Sequence, residues 1–161
     1  VTGGLAHIAH HAFSKITLFF AAGAIYVATH NKKISLMGGF GRKMPITFAM
    51  FSLAALSMIG MPPVCGFVSK WYLINGTMQA HQIIILCALL GSTILNAGYF
   101  TPIIYRAFFM APDPTVDYDH YSEAPMTMVI PLTITACISV LLGFYPELFF
   151  GFINIFTGFR G

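Results

Sequence analysis

The apolar run over residues 45–78 carries Pro62, Pro63 and Gly66 near its middle and Lys70 shortly after them. Proline removes a backbone donor and clashes with the preceding turn, and glycine adds backbone freedom, so a helix over this run is expected to break near residues 62–66. Inside a bilayer such a break is tolerated only where neighbouring protein or trapped water satisfies the freed backbone groups. Lys70 follows the break by about one to two helical turns, where its charge would be costly against lipid. A cation kept from lipid beside an interrupted helix points to an ion pathway.

Composition sets the solvent. Hydrophobic residues make up 57% of the 161 residues and charged residues 8%, whereas soluble domains run near a quarter charged. The mean hydropathy is +0.79. The expected fold is an all-α integral membrane protein in contact with the lipid bilayer. The net charge of +3 is dominated by Lys32, Lys33, Arg42 and Lys43 in one connecting segment. That clustering reads as membrane orientation and not as a nucleic-acid surface, so no nucleic-acid partner is expected. Cys65, Cys87 and Cys137 are widely separated in apolar surroundings. They indicate neither a disulfide framework nor a metal site, and read as buried small hydrophobes. With no glycine-rich phosphate loop and no thiol cluster, no cofactor and no catalytic residue is expected.

Four crossings follow from the apolar runs, at about residues 5–29, 45–78, 82–110 and 126–150, each able to cross a core of ~30 Å. Splitting the second run at Pro62 would leave two pieces below the usual ~20 residues with no polar turn between them, so it reads as one crossing made of two half-helices. The segments 30–44 and 111–125 then fall on one side. The first holds four of the eight Lys and Arg residues, which places that side in the cytoplasm. Asp113, Asp117, Asp119 and Glu123 make the second segment acidic. Val1 stands a few residues before a span, and the chain reads as the C-terminal part of something longer.

The first run adds His7, His11 and Lys15, spaced in steps of four. Each step drifts only about 40° around a helix, so the three project as one polar stripe. His10 lies off it. Imidazole exchanges protons near neutral pH, and a desolvated amine parts with its proton more readily, so the stripe could pass protons through intervening waters. In that reading Lys15 and Lys70 alternate between charged and neutral states, with His7 and His11 as relays. Interhelical hydrogen bonding by the histidines and snorkelling by Lys70 are the structural alternatives. A metal site from His7 and His11 lacks a nearby carboxylate or thiol in sequence.

These residues resemble a known family. His7, His10, His11 and Lys15, followed by Leu18-Phe19, are similar to the eleventh helix of the antiporter-like proton-conducting membrane subunits. Gly60-Met61-Pro62-Pro63, Gly66-Phe67 and Lys70 are similar to the broken twelfth helix of that family. Leu95-Asn96-Ala97-Gly98-Tyr99-Phe100, Tyr105-Arg106-Ala107-Phe108-Phe109, and Glu123-Ala124-Pro125 with Met128 and Pro131-Leu132 extend the resemblance along nearly the whole chain. Within the family the chain looks most like the D-type membrane component of the Mrp-type multisubunit cation/proton antiporters. Subunits L, M and N of respiratory complex I and membrane-bound hydrogenase subunits are the relatives of that group.

The resemblance implies that residues 1–161 form the C-terminal part of a proton-conducting transporter domain in a bacterial or archaeal cell membrane. It also implies membrane-subunit partners, with protons and Na+ as the transported ions. Lys70 would be the terminal proton carrier and Lys15 the central one. Three function classes stand: a subunit of a monovalent cation/proton antiporter; a non-redox, proton-pumping subunit of an NADH-quinone oxidoreductase or hydrogenase; and a non-transporting fragment or scaffold.

Overall fold

A computed structural model of the chain describes residues 2–30, 32–62, 64–111, 122–147 and 151. Pro63, Asp113, Asp117, Asp119, the last residues of the expected final span and most of the C-terminal segment lie outside them. Among the described residues every regular element is helical: α1 (Thr2–Thr29), a short 3-10 turn (Ile34–Leu36), α2 (Phe40–Lys43), α3 (Pro45–Ile59), α4 (Cys65–Gln79), α5 (Ile83–Phe109) and α6 (Met126–Phe144). α1 from Gly4 on, α5 and α6 are each long and apolar enough to cross a membrane, and α3 is a shorter apolar helix. This is the all-α membrane fold expected from composition.

Contacts along α1 give the topology. His7 meets Ser69 of α4, and Ser14 meets Ser57 near the end of α3. Ala24 and Ile25 share a core cluster with Met44 and Phe48 around the start of α3. α3 and α4 therefore follow one another along a single partner helix, in the direction opposite to α1. α6 also runs opposite to α1, with Thr17 paired to Thr135 and Gly23 against Met128. α5 returns beside the broken helix, since Thr93 meets Lys70, Phe100 packs on Phe51, and Phe108 packs on Phe48. Of the three long helices it is the most outward, with only 6% of its membrane window buried against 33% for α1 and 22% for α6.

Both long connections meet at one end of the bundle. In the first, Gly39 takes φ +75° and its N–H donates to the Arg106 carbonyl at the end of α5. A Cβ on Gly38 would stand 2.6 Å from the Ala111 carbonyl oxygen, and one on Gly41 2.9 Å from that of Ala107. These glycines let the lysine-bearing segment lie directly on α5. From the second connection, Glu123 reaches the first turn of α3. Pro45 is the first residue of that helix, so the next two amides are the ones in need of acceptors. Ile46 N–H donates to Glu123 Oε2 and Thr47 N–H to Oε1, both at 3.1 Å, and the Thr47 hydroxyl adds a third bond to Oε1.

α3 ends at Ile59 and α4 begins at Cys65, so the helix stops slightly ahead of Pro62. Gly60 adopts φ +87° and closes α3 as a left-handed cap, with Gly60 N–H and Met61 N–H both donating to the Leu56 carbonyl at 2.8 and 3.0 Å. Glycine ends the helix and Pro62 then prevents its resumption. Gly66 lies inside the first turn of α4, where it serves contact and not freedom: a Cβ there would fall 1.8 Å from the Ser57 carbonyl oxygen. α6 stops at Phe144, short of the expected boundary, because Pro146 disfavours helical backbone at Tyr145, which sits at φ −121°, ψ 63°.

Candidate functional site at the broken helix

Lys70 sits in α4, and its side chain turns back onto the end of α3. Nζ donates to the carbonyls of Met58 and Ile59, each at 2.9 Å, and to Thr93 Oγ1 of α5 at 3.0 Å. The two carbonyls belong to the last turn of α3, where no further turn exists to occupy them. A cation at that position also meets the negative end of the helix dipole, a gain of about 0.3–1 kcal/mol, or up to ~2 when partly buried. Asn96 of α5 donates through Nδ2 to the same Met58 carbonyl at 3.4 Å. The lysine stem crosses Gly60, where an added Cβ would come within 2.7 Å of Cδ. The ammonium thus points inward to backbone and does not snorkel outward.

α1 brings the histidines to this site. His7 Nδ1 lies 3.2 Å from Ser69 Oγ, the residue before Lys70, and the His7 and His11 rings are 5.5 Å apart. Both imidazoles lie in electrostatic range of Lys70, and His11 also in that of Lys15. Lys15 is exposed on the flank of the bundle, in an open groove with Leu18, Phe19, Tyr99 and Phe100. Lys70, His7 and His11 therefore form one local group, and Lys15 extends the row away from it. His10, off the stripe, is the histidine that the bundle buries, at 1% exposure. Pro62 lies in the interruption and Gly66 beyond it.

Behind the histidines is a buried polar junction of four helices. Ser14 Oγ of α1 lies 2.6 Å from Ser57 Oγ of α3. Cys65 Sγ of α4 lies 3.1 Å from Ser139 Oγ of α6 and 3.5 Å from Ser57 Oγ. Cys65 is buried as expected, but not inertly, and Cys87 and Cys137 face outward instead. Among the described residues no three His, Cys, Asp or Glu side chains converge as metal ligands.

Sequence reasoning did not single out Thr93, Ser69, Ser57 or the Met58 and Ile59 carbonyls. Thr93 and Asn96 carried a usable signal: two polar residues three apart in an apolar span share a face. The carbonyls carried none, because every residue has one.

Residues 1–96, which include α1, the broken helix and Lys70, match the family described as "NADH:quinone oxidoreductase/Mrp antiporter, TM". The chain belongs to this family. Its relatives include the NADH-quinone oxidoreductase subunit N of Desulforudis audaxviator (strain MP104C), 36% identical over 155 residues, or 90% of this chain and 31% of that protein. The NADH-ubiquinone oxidoreductase chain 5 of Aspergillus niger is 30% identical over 161 residues, 96% of this chain and 24% of that protein. The chain spans less than a third of the length of these relatives. Among solved structures, the Mrp complex from Dietzia sp. DQ12-45-1b shares the fold, with a TM-score of 0.84 at 22% identity over 93% of this chain and 36% of that one. The archaeal membrane-bound sulfane sulfur reductase has a TM-score of 0.77 at 27% identity, covering 89% of this chain and 23% of its own.

Proposed function

We propose that this chain is the C-terminal part of a proton-translocating subunit in a multisubunit membrane complex of the antiporter type, exchanging protons for a monovalent cation such as Na+. The observation that carries the reading is the Lys70 ammonium, held at the end of α3 by Met58, Ile59 and Thr93, with Ser69 and His7 beside it. A lysine held by neutral oxygens with no described carboxylate partner can lose its proton without leaving an unpaired buried anion. His7 can receive or return that proton through Ser69 or water, and His11 continues the row toward Lys15. Lys15, Lys70, His7 and His11 are thus the proposed pathway, with the break at Pro62, Pro63 and the close helix crossing at Gly66 giving it room and shape. The other membrane subunits would supply the remaining path.

The test is proton movement in vesicles reconstituted with the complete complex. Lys70→Ala is expected to abolish cation-driven dissipation of a proton gradient while assembly persists; transport at the wild-type level would overturn the proposal. A second reading, a non-redox subunit of an NADH-quinone oxidoreductase pumping protons, is favoured by the 36% identity to a subunit N. It predicts proton movement only with electron donor and quinone, independent of added Na+.

A further inference from the structure

We propose that the oxygen ring holding the Lys70 ammonium is a binding site for a monovalent alkali cation, filled when the lysine side chain leaves it. This deepens the reading above and rests on it in one respect: Lys70 must be able to lose its proton and its place.

The ring has the chemistry of such a site. Met58 O and Ile59 O at 2.9 Å and Thr93 Oγ1 at 3.0 Å converge on a single point, now occupied by a cationic nitrogen. Broken membrane helices present freed carbonyls and negative half-helix ends to alkali ions in this manner. The bound ammonium is itself a stand-in, carrying one positive charge at a spacing close to that at which carbonyl rings replace the water of a potassium ion. Sodium would require the ring to tighten. Asn96, already 3.4 Å from the Met58 carbonyl through Nδ2, offers Oδ1 as a further ligand on rotation of its amide.

Charge decides the class of ion. No described carboxylate contacts the ring, and divalent ions take their affinity from carboxylate ligands. A single charge matches the partial negative charge at the end of α3. α3 has no ionisable side chain, α5 meets Lys70 through Thr93, and among the described residues His7 and His11 of α1 lie in its electrostatic range. Gly60 provides volume: the path of the lysine stem past its Cα opens when the stem leaves, and water can complete the ion's shell there.

Occupancy is exclusive, because Nζ stands where the ion's ligands converge. The proton leaves Nζ for the His7 side, the neutral amine withdraws, and the cation enters, so the ring carries one positive charge before and after. Uptake of one species therefore requires release of the other.

The experiment uses the purified complete complex in detergent, titrated calorimetrically with KCl and separately with NaCl, with choline chloride holding ionic strength constant. Lys70→Met removes the competitor and is expected to tighten K+ or Na+ binding at least ~10-fold over wild type, since a site blocked most of the time loses affinity in proportion. Adding Thr93→Val should then weaken binding by about 10-fold, the equivalent of one polar contact, and Thr93→Ser should restore it. Lys70→Gln serves in the same role if Lys70→Met does not assemble. The proposal is overturned if removing the lysine leaves alkali-ion binding unchanged, if the gain survives Thr93→Val, or if choline reproduces it. Equilibrium binding is independent of transport, so wild-type proton movement in Lys70→Met vesicles would overturn the proposed pathway and leave the cation site standing or falling on its own titration.

Discussion

Replacing Gly66 by alanine tests the helix crossing that sets the whole site. The new Cβ would lie 1.8 Å from the Ser57 carbonyl oxygen, 2.7 Å from its carbon and 3.0 Å from Ser57 Oγ, whereas ordinary contact begins at 3.4 Å. The obstructing atoms are backbone, so no rotamer change relieves them, and α4 must move away from α3 by more than an ångström. Overpacking of this kind costs about 1–3 kcal/mol. The displaced Ser57 also holds Ser14 at 2.6 Å, and a lost hydrogen bond adds about 1 kcal/mol. A destabilisation of about 2–4 kcal/mol is therefore expected, read by an unfolding titration of the complete subunit in mixed micelles. Gly76→Ala is the internal control: nothing lies within 4 Å of its Cβ position, and it should be neutral or stabilise by up to ~1 kcal/mol through helix propensity alone. If Gly66→Ala matched wild type, or fell no further than Gly76→Ala, the close crossing would not exist as described.

Glu123→Ala, which strips the side-chain acceptors from the first turn of α3, should cost about 0.5–2 kcal/mol in the same titration, and Glu123→Gln about 0.3–1 kcal/mol for the charge alone; equal stability of all forms would refute the cap. Gly60→Ala should lower thermal stability and slow proton movement together, because it strains a residue at φ +87° and crowds the Lys70 stem; wild-type values for both would count against that packing. A thiol-specific reagent applied to the detergent-solubilised protein should label Cys87 and Cys137 well before the buried Cys65, and labelling of Cys65 at an equal rate would contradict the buried junction. With Cys87 and Cys137 replaced by serine, a cysteine placed at Ser35 should react with a membrane-impermeant maleimide only from the cytoplasmic side, as the cluster of Lys32, Lys33, Arg42 and Lys43 requires; reaction from outside would invert the topology.

The parts of this structure that a reader of the sequence could find are those written in composition and in forbidden residues. Prolines in an apolar run announce a break, and a lysine after them announces a charge needing company, because both violate what lipid tolerates. What keeps Lys70 company was not legible: two of its three partners are main-chain carbonyls, anonymous in sequence, and Thr93 lies 23 residues away on another helix. Gly66 was visible as a glycine, but its purpose depends on Ser57, which only tertiary packing brings near. The same holds for the ends of elements. Gly60 stops α3 before Pro62 can, and Tyr145-Pro146 stops α6 while the chain is still apolar, so hydropathy alone ran past both.

α3 is about 22 Å long, and its two poles are held by side chains remote from it and from each other, Glu123 at the first amides and Lys70 at the last carbonyls. A rod fastened in this way obeys linkage. Whatever free energy the Glu123 contact gains or loses when Lys70 lets go must be returned, in equal amount, to the grip on Lys70 when Glu123 is disturbed. Lys70 and the connecting segment at the bundle's end are in that sense coupled through the two ends of a single helix.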